Sequence, residues 1–205
     1  MEGAAIRAFV CSPRSGGNTE VMAHHFVQGV LAAGGKAEVT RLRDYTVLPC
    51  TACRSCEEAA DAGCLLAGRD DTEALFCQIK EAALVCMLSP IFFYHLPAQF
   101  KCLIDRAQRY WILRQRKPES PPKPPERPGL VGLVAARTRG EKLFVGSMLT
   151  LKVFFDLFDI RVMDDCQLAG YDLPDDLARD GAACMRLHTM GVKAAALAAE
   201  YAGRR

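Results

Sequence analysis

The chain is expected to fold as an α/β protein, a doubly wound five-stranded parallel sheet with helices on both faces. Three observations point there. Short apolar runs alternate with helical patterns along the whole length. Runs such as Ala83–Leu88 (ALVCML) and Gly129–Ala136 (GLVGLVAA) have the composition of buried strands. Helix stop and start signals fall between them, Gly34-Gly35 closing one helical stretch and Pro97 opening another.

Taken in order, Ile6–Cys11 (IRAFVC) is a buried strand and Asn18–Ala33 a helix. Ala37–Leu42 (AEVTRL) alternates like a strand. Asp70–Glu73 (DDTE) fits a capping box for a helix running to about Glu81. Ala83–Leu88 is the third strand. Behind Pro97, the residues Phe100, Leu103, Ile104, Ala107 and Trp111 recur on one helical face. Arg116–Pro128 carries six of the eleven prolines and reads as an extended surface loop. Gly129–Ala136 is the fourth strand. Glu141–Phe158 is a helix apolar on nearly every side, more than one sheet-facing stripe needs, so a second buried face at a subunit interface is expected. Ile160–Leu168 holds the fifth strand, and Pro174–Tyr201 an Ala-rich final helix.

At 205 residues, half of them hydrophobic, the chain is read as one domain, 1–205, with a cysteine-rich loop 49–69 and a Pro-rich loop 116–128. A net charge of +2 argues against a nucleic-acid or membrane-surface binder working by bulk charge. No apolar run reaches membrane-span length, and the N-terminus lacks the pattern of a secretory signal, so a cytoplasmic location is the expectation. No Ser/His/Asp or paired-carboxylate constellation stands out, which disfavours hydrolysis, and no catalytic side chain is assigned.

In doubly wound sheets ligands sit at the carboxyl ends of strands, so the loops after strands one, three and four matter most. Ser12–Thr19 (SPRSGGNT) suits a phosphate: glycines let N–H groups turn inward, hydroxyls and an amide can donate, and a helix N-terminus favours an anion. It is neither a triphosphate loop, lacking Gly-Lys-Ser/Thr, nor the dinucleotide Gly-x-Gly-x-x-Gly fingerprint. An ordinary polar turn with Asn18 as helix N-cap accounts for the same residues.

Ten cysteines suggest metal or redox chemistry in a cytosolic chain. Cys50, Cys53, Cys56 and Cys64 fall within fifteen residues. Four thiolates so spaced suit a 4Fe–4S cluster; zinc, a redox-active thiol pair and a metal-free loop stay open. The other six, Cys11 among them, read as small buried hydrophobes. His95, beside the loop after strand three, is either a packed histidine or a proton donor.

The strings SPRSGGNT, CTACRSC with the later Cys64, RDD and SPIFFYHLPAQFKCLIDR together resemble the NADPH-dependent FMN reductase family, in particular its iron–sulfur flavoprotein branch. The resemblance covers roughly the first 110 residues and extends to LTLKVFFDLF. It implies a flavodoxin-like fold, one FMN per subunit, a 4Fe–4S cluster on the four clustered cysteines, and a homodimer or homotetramer. Carried over, Ser12, Arg14, Gly17, Asn18 and Thr19 hold the FMN phosphate. Pro90, Ile91, Phe92 and Phe93 line the isoalloxazine ring, and Arg137, Thr138, Arg139 and Gly140 lie by its pyrimidine end. Phe92 stands where relatives usually have Tyr, and the often glycine-rich third loop carries two arginines. A cation there would favour the anionic reduced flavin; solvated arginines are the plainer reading. The implied function is an FMN-dependent oxidoreductase taking electrons from NAD(P)H or ferredoxin to a small acceptor such as a flavin, a quinone or an oxygen species. An electron carrier without nicotinamide turnover, and a non-enzymatic cysteine-based metal or redox sensor, are the alternatives.

Overall fold

The computed structural model describes residues 6–116 and 126–204. Five strands form one sheet: β1 (Ile6–Val10), β2 (Ala37–Arg41), β3 (Leu84–Pro90), β4 (Arg127–Ala135) and β5 (Ile160–Ala169). They run parallel in the order β2-β1-β3-β4-β5, the flavodoxin-like doubly wound order, which reverses direction between β1 and β3. The helices are α1 (Asn18–Ala32), α2 (Ser55–Glu58), α3 (Thr72–Glu81), α4 (Ala98–Arg106), α5 (Gln108–Gln115), α6 (Val145–Asp156) and α7 (Gly181–Gly203).

The central strands alternate their side chains between two cores, which is why they are apolar throughout. Ile6, Ala8, Val10, Leu84, Cys86 and Leu88 pack under α1 and α7, with Met22, Phe26, Leu187 and Met190. Phe9, Val85, Met87, Val131 and Leu133 face α3, α4 and α6, with Phe76, Phe100, Leu151 and Phe154. α1 and α7 cross backbone to backbone: a Cβ on Gly29 would lie 1.9 Å from the His188 carbonyl oxygen, and one on Gly191 2.0 Å from that of Phe26. Only glycine fits at that crossing.

Several expectations need correction. The stripe Phe100–Trp111 is split between α4 and α5 at Ala107, where Tyr110 N–H donates to the Ala107 carbonyl. Phe100, Leu103 and Ala107 are buried, but beyond the break Trp111 stands 47% exposed. Asp70 and Glu73 form no capping box: Asp70 accepts from the Thr72 N–H and hydroxyl, and Glu73 accepts from Arg109. The segment read as a Pro-rich loop ends early, because Arg127 and Pro128 open β4. Arg127 anchors them by donating to the carbonyls of Ile79, Lys80, Ala82 and Phe158. Arg116 closes α5, and residues 117–125 lie outside the described residues. The helix expected from Glu141 starts at Val145, and the final helix starts at Gly181, capped by the Asp180 carboxylate on the Ala183 N–H at 2.9 Å.

Candidate functional site

The chain leaves β1 toward β2 on one side and reaches β3 on the other, and a cavity of about 150 Å³ opens at the carboxyl ends of these strands. Its wall holds Ser12, Arg14, Gly17, Asn18, Thr19, Pro90, Ile91 and Phe92, drawn from two of the three loops singled out in the sequence, those after β1 and β3. Val134, Ala136, Tyr171 and Asp172 complete it.

Ser12 is buried and its Oγ accepts from the Arg14 N–H at 3.1 Å, which curls the loop over itself. Gly16 takes a left-handed φ of +66°. Gly17, rather than Asn18, is the N-cap of α1, and no side chain caps that helix. Uncapped first-turn N–H groups, the buried hydroxyls of Ser12 and Thr19, and the Arg14 side chain make a donor set that fits a phosphate group. The Asn18 side chain is otherwise occupied. Its amide donates to the carbonyls of Tyr171 (3.2 Å) and Leu173 (2.9 Å), and its oxygen accepts from the Leu177 N–H (3.1 Å). Asn18 therefore fastens the loop after β1 to the loop after β5.

Tyr171 and Asp172 escaped the sequence reading, which looked to strands one, three and four only. The run Tyr171–Asp176 (YDLPDD), dense in turn residues after a strand, was the available signal. Tyr171 donates to Asp180 Oδ2 at 2.7 Å. Burial, then that hydrogen bond and the Asp180 charge, push its phenol up to about 12.

The loop after β3 turns back on itself. Phe92 and His95 exchange both backbone hydrogen bonds, at 2.8 and 2.9 Å, and enclose Phe93 and Tyr94, whose φ angles are +49° and +65°. This two-residue hairpin ordinarily requires Gly or Asn. Aromatic residues in left-handed backbone cost about 1–2 kcal/mol each, and such strain concentrates at functional sites. Phe93 is fully exposed and outside the cavity wall. Arg137 lies outside it too: its Nη1 donates to the Tyr94 hydroxyl at 2.9 Å, with its guanidinium 5.4 Å from the ring centre. Thr138, Arg139 and Gly140 are exposed in the same loop. His95 Nε2 lies 3.1 Å from Thr150 Oγ1 on α6, a packed position. Cys11 is buried, and burial pushes its thiol well up, which suits packing and not nucleophilic chemistry.

The cysteine-rich loop is pinched at its neck. Thr46 and Asp71 exchange hydrogen bonds, Leu48 N–H donates to Asp70 at 2.8 Å, and Arg106 bridges Asp70 (2.6 Å) and the Leu48 carbonyl (3.2 Å). Arg116 grips the loop body through the carbonyls of Cys56, Glu57 and Ala59. All four loop cysteines are free thiols. Hydrogen bonds from Ser55 hold the Cys53 thiol below its ordinary value. Burial, then the nearby thiols of Cys50, Cys64 and Cys53, raise Cys56. The four are thus electrostatic neighbours with the right donor chemistry, but among the described residues no three such side chains gather as a metal-holding group. Their residue types and spacing suit a cluster, while the side chains are spread along the loop and do not converge on one point.

Residues 4–168 match the model of the family described as NADPH-dependent FMN reductase, and the chain belongs to that family. An iron–sulfur flavoprotein of Methanocaldococcus jannaschii is 30% identical over 97 residues, 47% of this chain and 48% of that protein. One from Archaeoglobus fulgidus is 29% identical over 99 residues, 48% and 43% respectively. The chain thus spans about half the length of these curated relatives. Among solved structures, a NAD(P)H:quinone oxidoreductase from Methanothermobacter marburgensis shares the fold with a TM-score of 0.63 at 18% identity, over 93% of this chain and 96% of that one. Among the described residues no helix is long and apolar enough to cross a membrane.

Proposed function

We propose that this protein is an FMN-dependent oxidoreductase that takes electrons from NAD(P)H, or from ferredoxin, and delivers them to a small acceptor such as a quinone, a flavin or an oxygen species. The observation that carries the reading is the cavity at the β1/β3 switch point, whose wall combines the phosphate-type loop Ser12–Thr19 with the apolar Pro90–Phe92 segment. FMN, when bound, supplies both hydride and single-electron exchange. The chain's own part is to bind and orient. Ser12, Thr19, the Gly17–Thr19 backbone and Arg14 hold the phosphate, while Asn18 keeps that loop in place. Ile91 and Phe92 give the ring an apolar wall and exclude water. Arg137 and Thr138 stand at the pyrimidine end, where Arg137 in its present position is held by Tyr94.

The cysteine loop forms a separate part of the proposal. Cys50, Cys53, Cys56 and Cys64 are the ligands of a 4Fe–4S cluster once the loop draws in around it, a rearrangement metal binding drives elsewhere. Support comes from their spacing in the sequence and from the likeness to iron–sulfur flavoproteins over about half of those proteins' length. Iron and sulfide analysis of protein purified without oxygen tests it, and metal-free protein that takes up neither on reconstitution would refute it. The subunits pair as a homodimer or homotetramer through the outward stripe of α6. The 1–205 stretch acts as a single FMN-binding unit in the cytoplasm.

The reading is tested by titrating the protein with FMN and with riboflavin, then adding NADPH or reduced ferredoxin under anaerobic conditions. FMN is expected to bind more tightly than riboflavin, and Arg14→Ala to lower FMN affinity roughly 10- to 100-fold, the worth of a charge-assisted contact, with riboflavin binding little altered. Bleaching of the flavin by NADPH, by ferredoxin or by both assigns the donor. Equal affinity for the two flavins would contradict the phosphate assignment.

A further inference from the structure

The cysteine-rich loop is held in a strained shape by a contact from outside it. Ala52, Arg54 and Ala62 take left-handed φ angles of +52°, +62° and +51°, backbone that disfavours residues bearing a Cβ. Between them lies α2 (Ser55–Glu58), a single turn, and a helix that short has no stability of its own in water. What steadies it is charge. The Arg54 side chain pairs with the Glu57 carboxylate at 2.6 Å. Arg116, which closes α5, donates to the carbonyls of Cys56 (3.3 Å), Glu57 and Ala59 (2.6 Å), at and just beyond the end of that turn. Arg116 sits on a firm mount, because two residues back Arg114 pairs with Asp156 and, at 3.0 Å, with Asp159. In the shape so held, Cys50 and Cys53 are exposed and Cys56 and Cys64 half-buried, all four as free thiols. Among the described residues they do not gather as a metal-holding group, and Cys56 lies within the clamped turn.

We propose that Arg116 is a latch that holds the four thiols apart, so that metal binding has to displace it. The proposal rests on the cluster reading above and adds the residue that opposes closure of the loop. Four thiolates that share one metal centre must converge. Bringing Cys56 toward the other three moves the turn that carries it, and that breaks the Arg116 contacts on its carbonyls. The strain at Ala52, Arg54 and Ala62 works the other way and favours leaving this shape. The loop is then a two-state element, in which the guanidinium favours the spread state and a metal the gathered one. A ligand that binds only one of two states loses apparent affinity according to how fully the other is populated. The strength of the latch therefore sets the metal level at which the loop closes.

The test compares the full chain with Arg116→Ala, Arg116→Lys and Ala52→Gly, each metal-free, reduced and handled without oxygen. None replaces a cysteine or a residue of the cavity wall. Hydrogen exchange across 52–64 is followed first. Each protein is then titrated with Co2+, whose thiolate-to-metal charge-transfer absorption reports sulfur ligation. Arg116→Ala is expected to exchange faster there and to bind Co2+ roughly three- to tenfold more tightly, the worth of one net hydrogen bond. Arg116→Lys, which keeps the charge and loses the fork, falls between. Ala52→Gly shifts binding the other way, because glycine removes strain from the spread shape. A merely structural role for Arg116 would lower stability without tightening metal binding. Unchanged Co2+ affinity in Arg116→Ala would overturn the latch, and so would weaker affinity, which assigns Arg116 to preparing the loop for metal. In both of those cases the wild type still binds metal. Wild type and variants that all take up neither Co2+ nor iron and sulfide would refute the cluster reading, and the latch with it.

Discussion

Arg106 and Asp70 form an ion pair at 2.6 Å with side chains 1% and 0% exposed, and the pair closes the neck of the cysteine loop. Burial raises the Asp70 carboxyl, but hydrogen bonds from Leu48, Thr72 and Arg106 outweigh it and hold the group below its ordinary value. Two further N–H groups of Arg106, Nε and Nη2, have no partner among the described residues. Removing one member leaves the other charged and buried. Arg106→Ala is therefore expected to lower stability by about 3–5 kcal/mol, whereas Arg106→Met combined with Asp70→Leu should cost far less than the two single changes added together. Denaturant unfolding of the single and double variants checks this. Limited proteolysis should find the segment 49–69 cut faster in Arg106→Ala.

Asn18 joins two loops that lie over 150 positions apart, through three hydrogen bonds to Tyr171, Leu173 and Leu177. Asn18→Ala would strand two carbonyls and a buried N–H. The expected loss is about 2–4 kcal/mol of stability, together with weaker FMN binding, because the phosphate loop loses its anchor. Asn18→Asp should do worse at Tyr171 and Leu173, since a carboxylate cannot donate to carbonyls. Thermal unfolding with and without FMN separates the two effects.

Acid should weaken the fold in two windows. Burial, then the charges of His24 and His188, lower the His25 pKa from 6.5. The unfolded chain therefore takes up the proton more readily, and stability falls as pH drops below about 6.5. Asp70 and Asp180 are depressed carboxylates, so their contribution is held above their unfolded value of 3.8 and lost at lower pH. The measurement is Tm against pH. Between pH 7 and 5 the decline should be shallower in His25→Phe than in wild type, and a parallel decline would contradict the assignment.

Val145, Leu149 and Val153 stand 48%, 61% and 61% exposed on one side of α6. Leu149 and Val153 share a groove of about 530 Å³ with Ile104 and Trp111. Leu149→Glu with Val153→Lys is expected to yield monomers by sedimentation with little loss of Tm, because both positions face water in the isolated chain. Wild-type protein that sediments as a monomer would refute the interface.

Much of this architecture was legible from pattern alone. Buried strands such as Leu84–Leu88 are apolar on both faces, and Gly34 and Pro97 mark helix ends through backbone chemistry that is local in sequence. What escaped depended on contacts distant in sequence. The capping box fits the local spacing of Asp70 and Glu73, yet Arg106 and Arg109 draw those carboxylates elsewhere. Pro128 reads as loop until the Arg127 guanidinium is seen holding four carbonyls at the start of β4. The site divides in the same way. The loops Ser12–Thr19 and Pro90–Phe92 carry their chemistry in their own residues. Tyr171 and Asp172 reach the site through contacts distant in sequence, with Asn18 and with the Ala135 carbonyl, and the left-handed turn at Phe93-Tyr94 runs against the propensities of both residues.

The most direct test of the central claim is the visible spectrum of the protein purified without oxygen, before and after addition of FMN. The account predicts flavin absorbance near ~450 nm that stays with the protein through gel filtration, at one FMN per chain, and a strong reduction in retention for Arg14→Ala. A protein that remains colourless after incubation with FMN, in wild type and variant alike, would contradict it.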